Sequence, residues 1–311
     1  MRSSPIFLRT AAGTVCAVGE ERLIRTIRGW LGRSAPASPA GMGDDCAVLR
    51  PARGRELVTV DPVIHGVHFD RRTPPRQAGA KLVKRNLSDI AAMGGRPRAA
   101  VVSLAMDART SLAWLREFHR GMALEARRHG VSIIGGDVAR LPGSFVATLT
   151  LLGESTGRVL TRAGSRPGDW IYVTGSLGRS FPSGHHHAFR PRLAEGAWLA
   201  GREEVRSMMD VSDGLAKDLA SLTPKGLAPA LFGALIPRRG GASLREALCD
   251  GEDYELLLTV APGLRRASLE NAWRRAFPRT PLTCIGRLVR MGQVPPDALA
   301  MSDYRGYEHL R

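Results

Sequence analysis

Nine carboxylates of this chain fall in short clusters, most of them beside glycine: Gly43-Asp44-Asp45, Thr59-Val60-Asp61, Asn86-Leu87-Ser88-Asp89, Gly135-Gly136-Asp137, Asp210-Val211-Ser212-Asp213-Gly214 and Gly251-Glu252-Asp253. The background is strongly basic, with 45 Lys+Arg against 29 Asp+Glu. Carboxylates that converge repel one another, by about 4 kcal/mol for unit charges ~4 Å apart at an effective dielectric of ~20. Such a group raises its pKa values or recruits cations. Oxygen-only donors favour Mg²⁺, an ion usually shared with substrate phosphates. The chemistry suggested is a Mg²⁺–nucleotide site.

These residues need elements to carry them. Leu23, Ile24, Ile27, Trp30 and Leu31 recur at helical spacing within residues 19–31. Residues 34–39 read as a Ser/Pro/Ala linker, with short strands expected at 46–49 and 56–60. A helix over 76–93 presents Ala80, Val83, Leu87, Ile90 and Ala91 as one stripe and stops at Gly94-Gly95. Strand 101–106, helix 111–129 and strands 131–134 and 145–152 follow. After Glu154 the pattern restarts, with strands at 169–174, 207–211, 254–260 and 282–289. A helix is expected at 265–276, and another from Asp213 with Ser212 as its N-cap. The class is α+β, with a loose extension over 1–18, an N-terminal domain over 19–154 and a C-terminal domain over 155–311.

Composition narrows the function classes. Hydrophobic content of 43% and no apolar run of membrane-spanning length fit a soluble protein. The scattered Cys16, Cys46, Cys249 and Cys284 read as reduced thiols of a cytoplasmic protein. The net charge of +16 is dispersed, and only Lys81, Lys84, Lys217 and Lys225 are lysines. A coding bias explains that skew more simply than nucleic-acid binding does. No P-loop, GxSxG or HExxH pattern is present. His185-His186-His187 has no carboxylate neighbour and reads as a solvated loop.

Taken singly, the acidic clusters are ambiguous. Gly135-Gly136-Asp137 can end a strand at a phosphate–metal unit or simply make a turn. Asp61 can end a strand, Asp89 can be a solvated helix residue, and Ser212 with Asp213 can cap a helix without any ligand.

Taken together, GMGDDCAVL (41–49), TVDPVIHGVHF (59–69), NLSDIAAMGGRP (86–97), IIGGD (133–137), TRAGSRPGDWIYVTGSLG (161–178), MDVSDGLAKDL (209–219), GEDYELLLTV (251–260), TCIGRL (283–288) and YRGYEHL (304–310) resemble the thiamine-monophosphate kinase family, in its order from Gly19 onward. That family shares a superfamily with aminoimidazole ribonucleotide synthetase, selenophosphate synthetase and a hydrogenase maturation factor. The resemblance implies a two-domain PurM-like fold, a homodimer paired through N-terminal sheets, and a C-terminal α/β sandwich domain. It implies direct in-line transfer from ATP to thiamine monophosphate with several Mg²⁺ ions. By motif, Asp45, Asp61, Asp89, Asp137 and Asp210 resemble metal ligands, joined by Thr59 and an outer Asp213. Gly136, Asp137, Arg162 and Ser212 resemble ATP contacts, with Asp89, Asp137 and Arg162 at the chemistry. His68, Glu252 and Tyr304 resemble the residues that hold thiamine monophosphate, while Asp44 and Asp253 are left without a role.

The chain departs from the family pattern at Val60, at Val138-Ala139-Arg140, and in the shortened stretches 181–191 and 220–250. A missing helix there would expose part of the substrate cleft. Two other readings compete: a different ATPase of the superfamily, and a basic RNA-binding protein. Selenophosphate synthetase would need a reactive Cys with a nearby Lys near the N-terminus, and Cys16 has none. The maturation factor would end in cysteine, whereas this chain ends Tyr307-Glu308-His309-Leu310-Arg311.

Overall fold

The computed structural model describes residues 5–42, 46–155, 157–263 and 265–308, and the chain divides into two compact units. The first comprises residues 1–87 and 96–156, the second residues 88–95 and 157–311.

The first unit holds α1 (Glu20–Leu31), β1 (Arg55–Ile64), most of α2 (Pro75–Ala92), β2 (Arg96–Met106), α3 (Leu112–Arg128), β3 (Ser132–Arg140) and β4 (Phe145–Ser155). Its four-stranded sheet runs β1-β4-β2-β3, antiparallel except for the parallel β2–β3 pair. Along β4 burial alternates strictly, so one face is apolar and covered and the other is open. Phe145, Ala147, Leu149 and Leu151 line the covered face, all fully buried. Trp114 and Phe118 of α3 meet Phe145 edge-on, with ring centroids 4.9 and 5.3 Å apart. Helices α2 and α3 cross at backbone contact, because a Cβ on Gly79 would stand 1.9 Å from the Phe118 carbonyl and one on Gly121 2.0 Å from that of Arg76.

Two expectations differ here. Residues 46–49 form no strand, and the Val48 side chain is 66% exposed. Nor is the N-terminal segment loose from Ile6 on. Ser111 donates its backbone N–H to Ile6, Val15 donates to Thr110, and Thr14 is fully buried.

The second unit contains β5 (Trp170–Thr174), α4 (His185–Ala188), α5 (Leu193–Ala200), β6 (Val205–Asp210), α6 (Leu215–Leu222), β7 (Leu227–Leu231), α7 (Leu244–Cys249), β8 (Leu256–Val260), α8 (Arg265–Ala276) and β9 (Leu282–Arg290). Its five-stranded antiparallel sheet runs β6-β8-β5-β9-β7. Both faces are covered, and β8 is buried along its whole length. Ile171 and Val173 pack with α6 and α7 on one face. Tyr172 packs with α5, α8 and the end of α2 on the other. The shortened 220–250 stretch thus still supplies a strand and a helix.

Candidate functional site

In the first unit, Thr59 and Asp61 lie two residues apart on β1, in register with Leu151 and Leu149. They therefore share the helix-covered face. Asp61 does not end the strand, which runs on through Pro62 to Ile64. Proline is tolerated because β1 is an edge strand. The buried Arg85 of α2 pairs with Asp61 at 3.2 Å and donates to the Pro62 carbonyl at 2.9 Å. Nothing in the sequence pointed to Arg85.

Gly136 and Asp137 do not end a strand either, since β3 continues to Arg140. Asp137 is in register with Ser103, and Ser103 with Thr148, which places Asp137 on the open face. Asp61 and Asp137 hence occupy opposite edges and opposite faces of one sheet. Three strand spacings separate those edges, roughly 14 Å. Within one subunit the two carboxylates cannot bind the same ion. Gly136 is demanded by packing, because a Cβ there would stand 2.0 Å from the Val102 carbonyl. Gly136 and Asp137 also line a groove of about 830 Å³ whose walls include Ile24, Ile27 and Leu31.

His68 follows β1 and is buried. Its Nδ1 accepts the Ile64 N–H at 3.1 Å, which leaves the proton of the neutral ring on Nε2. The fully buried Lys81 donates to the His68 carbonyl at 2.8 Å, fixing the loop from below. Asp45 lies outside the described residues.

In the second unit, Ser88 and Asp89 sit near the end of α2. The Ser88 hydroxyl donates to Asp210 Oδ2 at 2.6 Å, so the α2 end and the last residue of β6 meet. Ser212 does not cap a helix: the N-cap of α6 is Gly214. Instead Asp218, in the first turn of α6, accepts the backbone N–H groups of Ser212 and Asp213 at 2.9 and 3.0 Å. Burial first, then the neighbouring Asp210 carboxylate, pushes Asp218 up to about 7. Asp210, Asp213 and Asp218 thus crowd negative charge at this turn, which disfavours ionisation of Asp218. The sequence signal for it is an acid in the first turn of the helix after the DVSDG motif.

Asp213 pairs with Lys217 at 2.7 Å, which raises the Lys217 pKa. The C-terminal segment returns to the same place, where Tyr307 donates its N–H to the Asp213 carbonyl and Lys217 Nζ donates to the Tyr307 carbonyl. Tyr304 is half-buried, packed against the Ile171–Val173 cluster. Glu252 is buried and donates its N–H to the Ser212 carbonyl at 2.7 Å. Arg162 is exposed on the loop before β5.

The histidine tract is not a solvated loop. It forms the short helix α4, with His185 Nε2 on the Asp253 carbonyl at 3.0 Å and His186 Nδ1 on the Ser180 carbonyl at 2.8 Å. Asp253 is fully buried and accepts from Ser180, Arg239 and the Gly178 N–H. Burial pushes its carboxyl up to about 6 although each of those donors favours the ionised form. Among the described residues no three His, Cys, Asp or Glu side chains converge into a ready-made metal site. No helix among them is long and apolar enough to cross a membrane.

A family model described as AIR synthase related protein, N-terminal domain, matches residues 43–159. A thiamine-monophosphate kinase of Escherichia coli is 34% identical, over 87% of this chain and 91% of its own length. The crystal structure of thiamine-monophosphate kinase from Stenotrophomonas maltophilia superposes with a TM-score of 0.71 at 30% identity, covering 86% of this chain and 93% of that one. A structure of AaThiL complexed with AMPPCP and TMP covers 94% of this chain and 97% of its own, with a TM-score of 0.68 at 24% identity. With a third of its residues identical over nearly the whole length of the Escherichia coli relative and its fold shared with the solved enzyme, this chain belongs to the thiamine-monophosphate kinase family.

Proposed function

We propose that this protein phosphorylates thiamine monophosphate to thiamine diphosphate at the expense of ATP, by direct in-line transfer. The observation that carries the reading is the junction of two turns in the second unit. The N–H of Glu252, the candidate acceptor residue, rests on the carbonyl of Ser212, a candidate nucleotide residue two positions past Asp210, the last residue of β6. Donor and acceptor subsites thereby become neighbours by construction, which is most of what phosphoryl transfer asks of a protein.

Each candidate residue then has a task. The carboxylates of Asp45, Asp61, Asp89, Asp137 and Asp210, with Thr59 and an outer Asp213, are hard oxygen donors of the type Mg²⁺ takes. The crowding felt by Asp218 beside Asp210 fits a turn built to receive positive charge. When bound, such ions would neutralise triphosphate charge and orient the phosphates. Because Asp61 and Asp137 stand on opposite faces of their sheet, the set suits several ions rather than one. Gly136, Arg162 and Ser212 contact the nucleotide, and Arg162 offers its guanidinium to charge spreading over the transferred group. His68, Glu252 and Tyr304 hold thiamine monophosphate. Buried Lys81 keeps His68 in place, and Tyr304 presents an aromatic face.

The exposed valines 58, 60 and 101 lie on the open face of the first sheet, Val60 and Val101 on either side of Thr150, which supports a homodimer paired there. Free cysteines suit a reducing cytoplasm.

The test mixes purified protein with ATP, Mg²⁺ and thiamine monophosphate and follows thiamine diphosphate and ADP by chromatography. Stoichiometric formation of both is expected, and no product at micromolar enzyme sinks the reading. Asp89→Asn and Asp137→Asn should melt like the parent and turn over at least about 100-fold more slowly. Full activity in either removes that aspartate from the mechanism.

A further inference from the structure

The Gly251–Glu255 segment contains two non-glycine residues in the left-handed region, Glu252 at φ +65° and Tyr254 at φ +52°. Residues other than glycine hold such angles only where the surroundings over-determine them. Here the segment is fixed from two sides. Toward β6, Glu252 and Tyr254 donate backbone N–H groups to Ser212 and Val211 at 2.7 and 2.8 Å. On the other side lies Asp253, the residue between them, whose side chain has no solvent exposure.

Asp253 Oδ1 accepts from Ser180 Oγ at 2.6 Å and from Arg239 Nη1 at 2.7 Å, and the Gly178 N–H reaches both carboxylate oxygens at 3.1 Å. Arg239 also donates to the carbonyls of Ser176 and Gly178, so one guanidinium ties the 176–178 turn to the 251–255 turn. His185 Nε2 closes the cage on the Asp253 carbonyl at 3.0 Å. The Tyr254 ring stacks on Phe189 at 4.0 Å, and its hydroxyl points back to Glu252 Oε1 at 3.5 Å.

We propose that Asp253, with Arg239, Ser180 and His185, forms a positioning set that fixes the direction of the Glu252 carboxylate and thereby sets affinity for the phosphorylated acceptor. The proposal rests on the reading of Glu252 as an acceptor residue. None of the four is a catalytic residue; each acts through the backbone of the Glu252 turn. The cage contains a buried carboxylate and a histidine contact that the transfer reaction itself does not call upon. The nucleotide side has a further support of its own, because Asp218 takes the N–H groups of Ser212 and Asp213 from the side away from Asp253's cage. Loosening the cage therefore acts on the acceptor and spares ATP.

The experiment compares initial rates and melting temperatures of the full chain with its Ser180→Ala, His185→Ala, Arg239→Lys, Asp253→Ala and Glu252→Gln variants. Ser180→Ala and His185→Ala should each raise KM for thiamine monophosphate by about five- to tenfold, with kcat and KM for ATP within about twofold of the parent. Arg239→Lys, which keeps the charge but loses the fork, should fall in the same class. Should Asp253→Ala not fold, those three variants carry the test. Lower melting temperatures with an unchanged acceptor KM would mean a purely structural cage and overturn the proposal. Glu252→Gln separates the two failures. If its acceptor KM rises while those of the cage variants do not, the positioning idea alone is wrong. If its acceptor KM is unchanged, the acceptor reading falls and takes the proposal with it.

Discussion

The two sheets of this protein solve the same problem in opposite ways. The first is four-stranded with one covered face, and its candidate residues Thr59, Asp61 and Asp137 lie inside strands. Their directions follow from register alone, and a one-residue slip would turn each to the other face. The second is five-stranded and covered on both faces, and the one candidate its strands carry, Asp210, is the last residue of β6. The others, Ser212, Asp213 and Glu252, sit on turns beyond the strand ends, where buried polar ties set their directions. In the first sheet register aims the candidates. In the second, hydrogen-bonded turns aim most of them.

The difference is sharpest when a core residue of the closed sheet is removed. Trp273 is 1% exposed, packs against Trp198 and Phe277, and donates Nε1–H to the Thr280 carbonyl at 2.7 Å. Trp273→Ala should cost about 3–5 kcal/mol, read by denaturant unfolding. A loss below about 1 kcal/mol would mean that this face is not packed as a core. On the open sheet the opposite holds. Val60 is 59% exposed, so Val60→Ser should change subunit stability by no more than about 0.5 kcal/mol. If the open face pairs with a second copy, the same substitution should weaken association in sedimentation at unchanged subunit stability. A large stability loss within an isolated subunit would show that the face is already covered.

Much of this was legible in sequence, and the failures share physical causes. Helices α1 and α3 were readable because each carries one apolar stripe that the fold uses, whereas α2 shows a stripe but is buried nearly all round, Lys81, Lys84, Arg85 and Asn86 included. Strand β7 was missed because Pro229 lies in its middle, and proline argues against a strand unless the strand is an edge, which β7 is. Helix α5 was missed because Leu193–Ala200 is apolar nearly all round and shows no periodicity. Residues 46–49 looked like a strand by composition but pair with no strand among the described residues, where Val48 donates its N–H to the Pro39 carbonyl. At the candidate site, the acidic residues were visible and their supports were not. Arg85, Asp218 and Arg239 act through contacts that no local pattern encodes.

The smallest effect contrasts two carboxylates, one from each unit. Asp107, just past β2, accepts the N–H groups of Gly143 and Arg109 and pairs with the Arg109 guanidinium. Those donors, Gly143 first, pull its pKa from 3.8 down to about 2. A carboxylate whose folded pKa is depressed stabilises the fold fully above its unfolded value, and that stability is lost as pH falls toward the folded one. Asp253 was pushed the other way, so it carries no stability that acid removes in this window. Melting temperatures of the parent and of Asp107→Asn should therefore differ most near about pH 5 and converge toward about pH 2. A gap that stays constant across that range would mean that the Gly143 turn is held by the shape of the side chain and not by its charge.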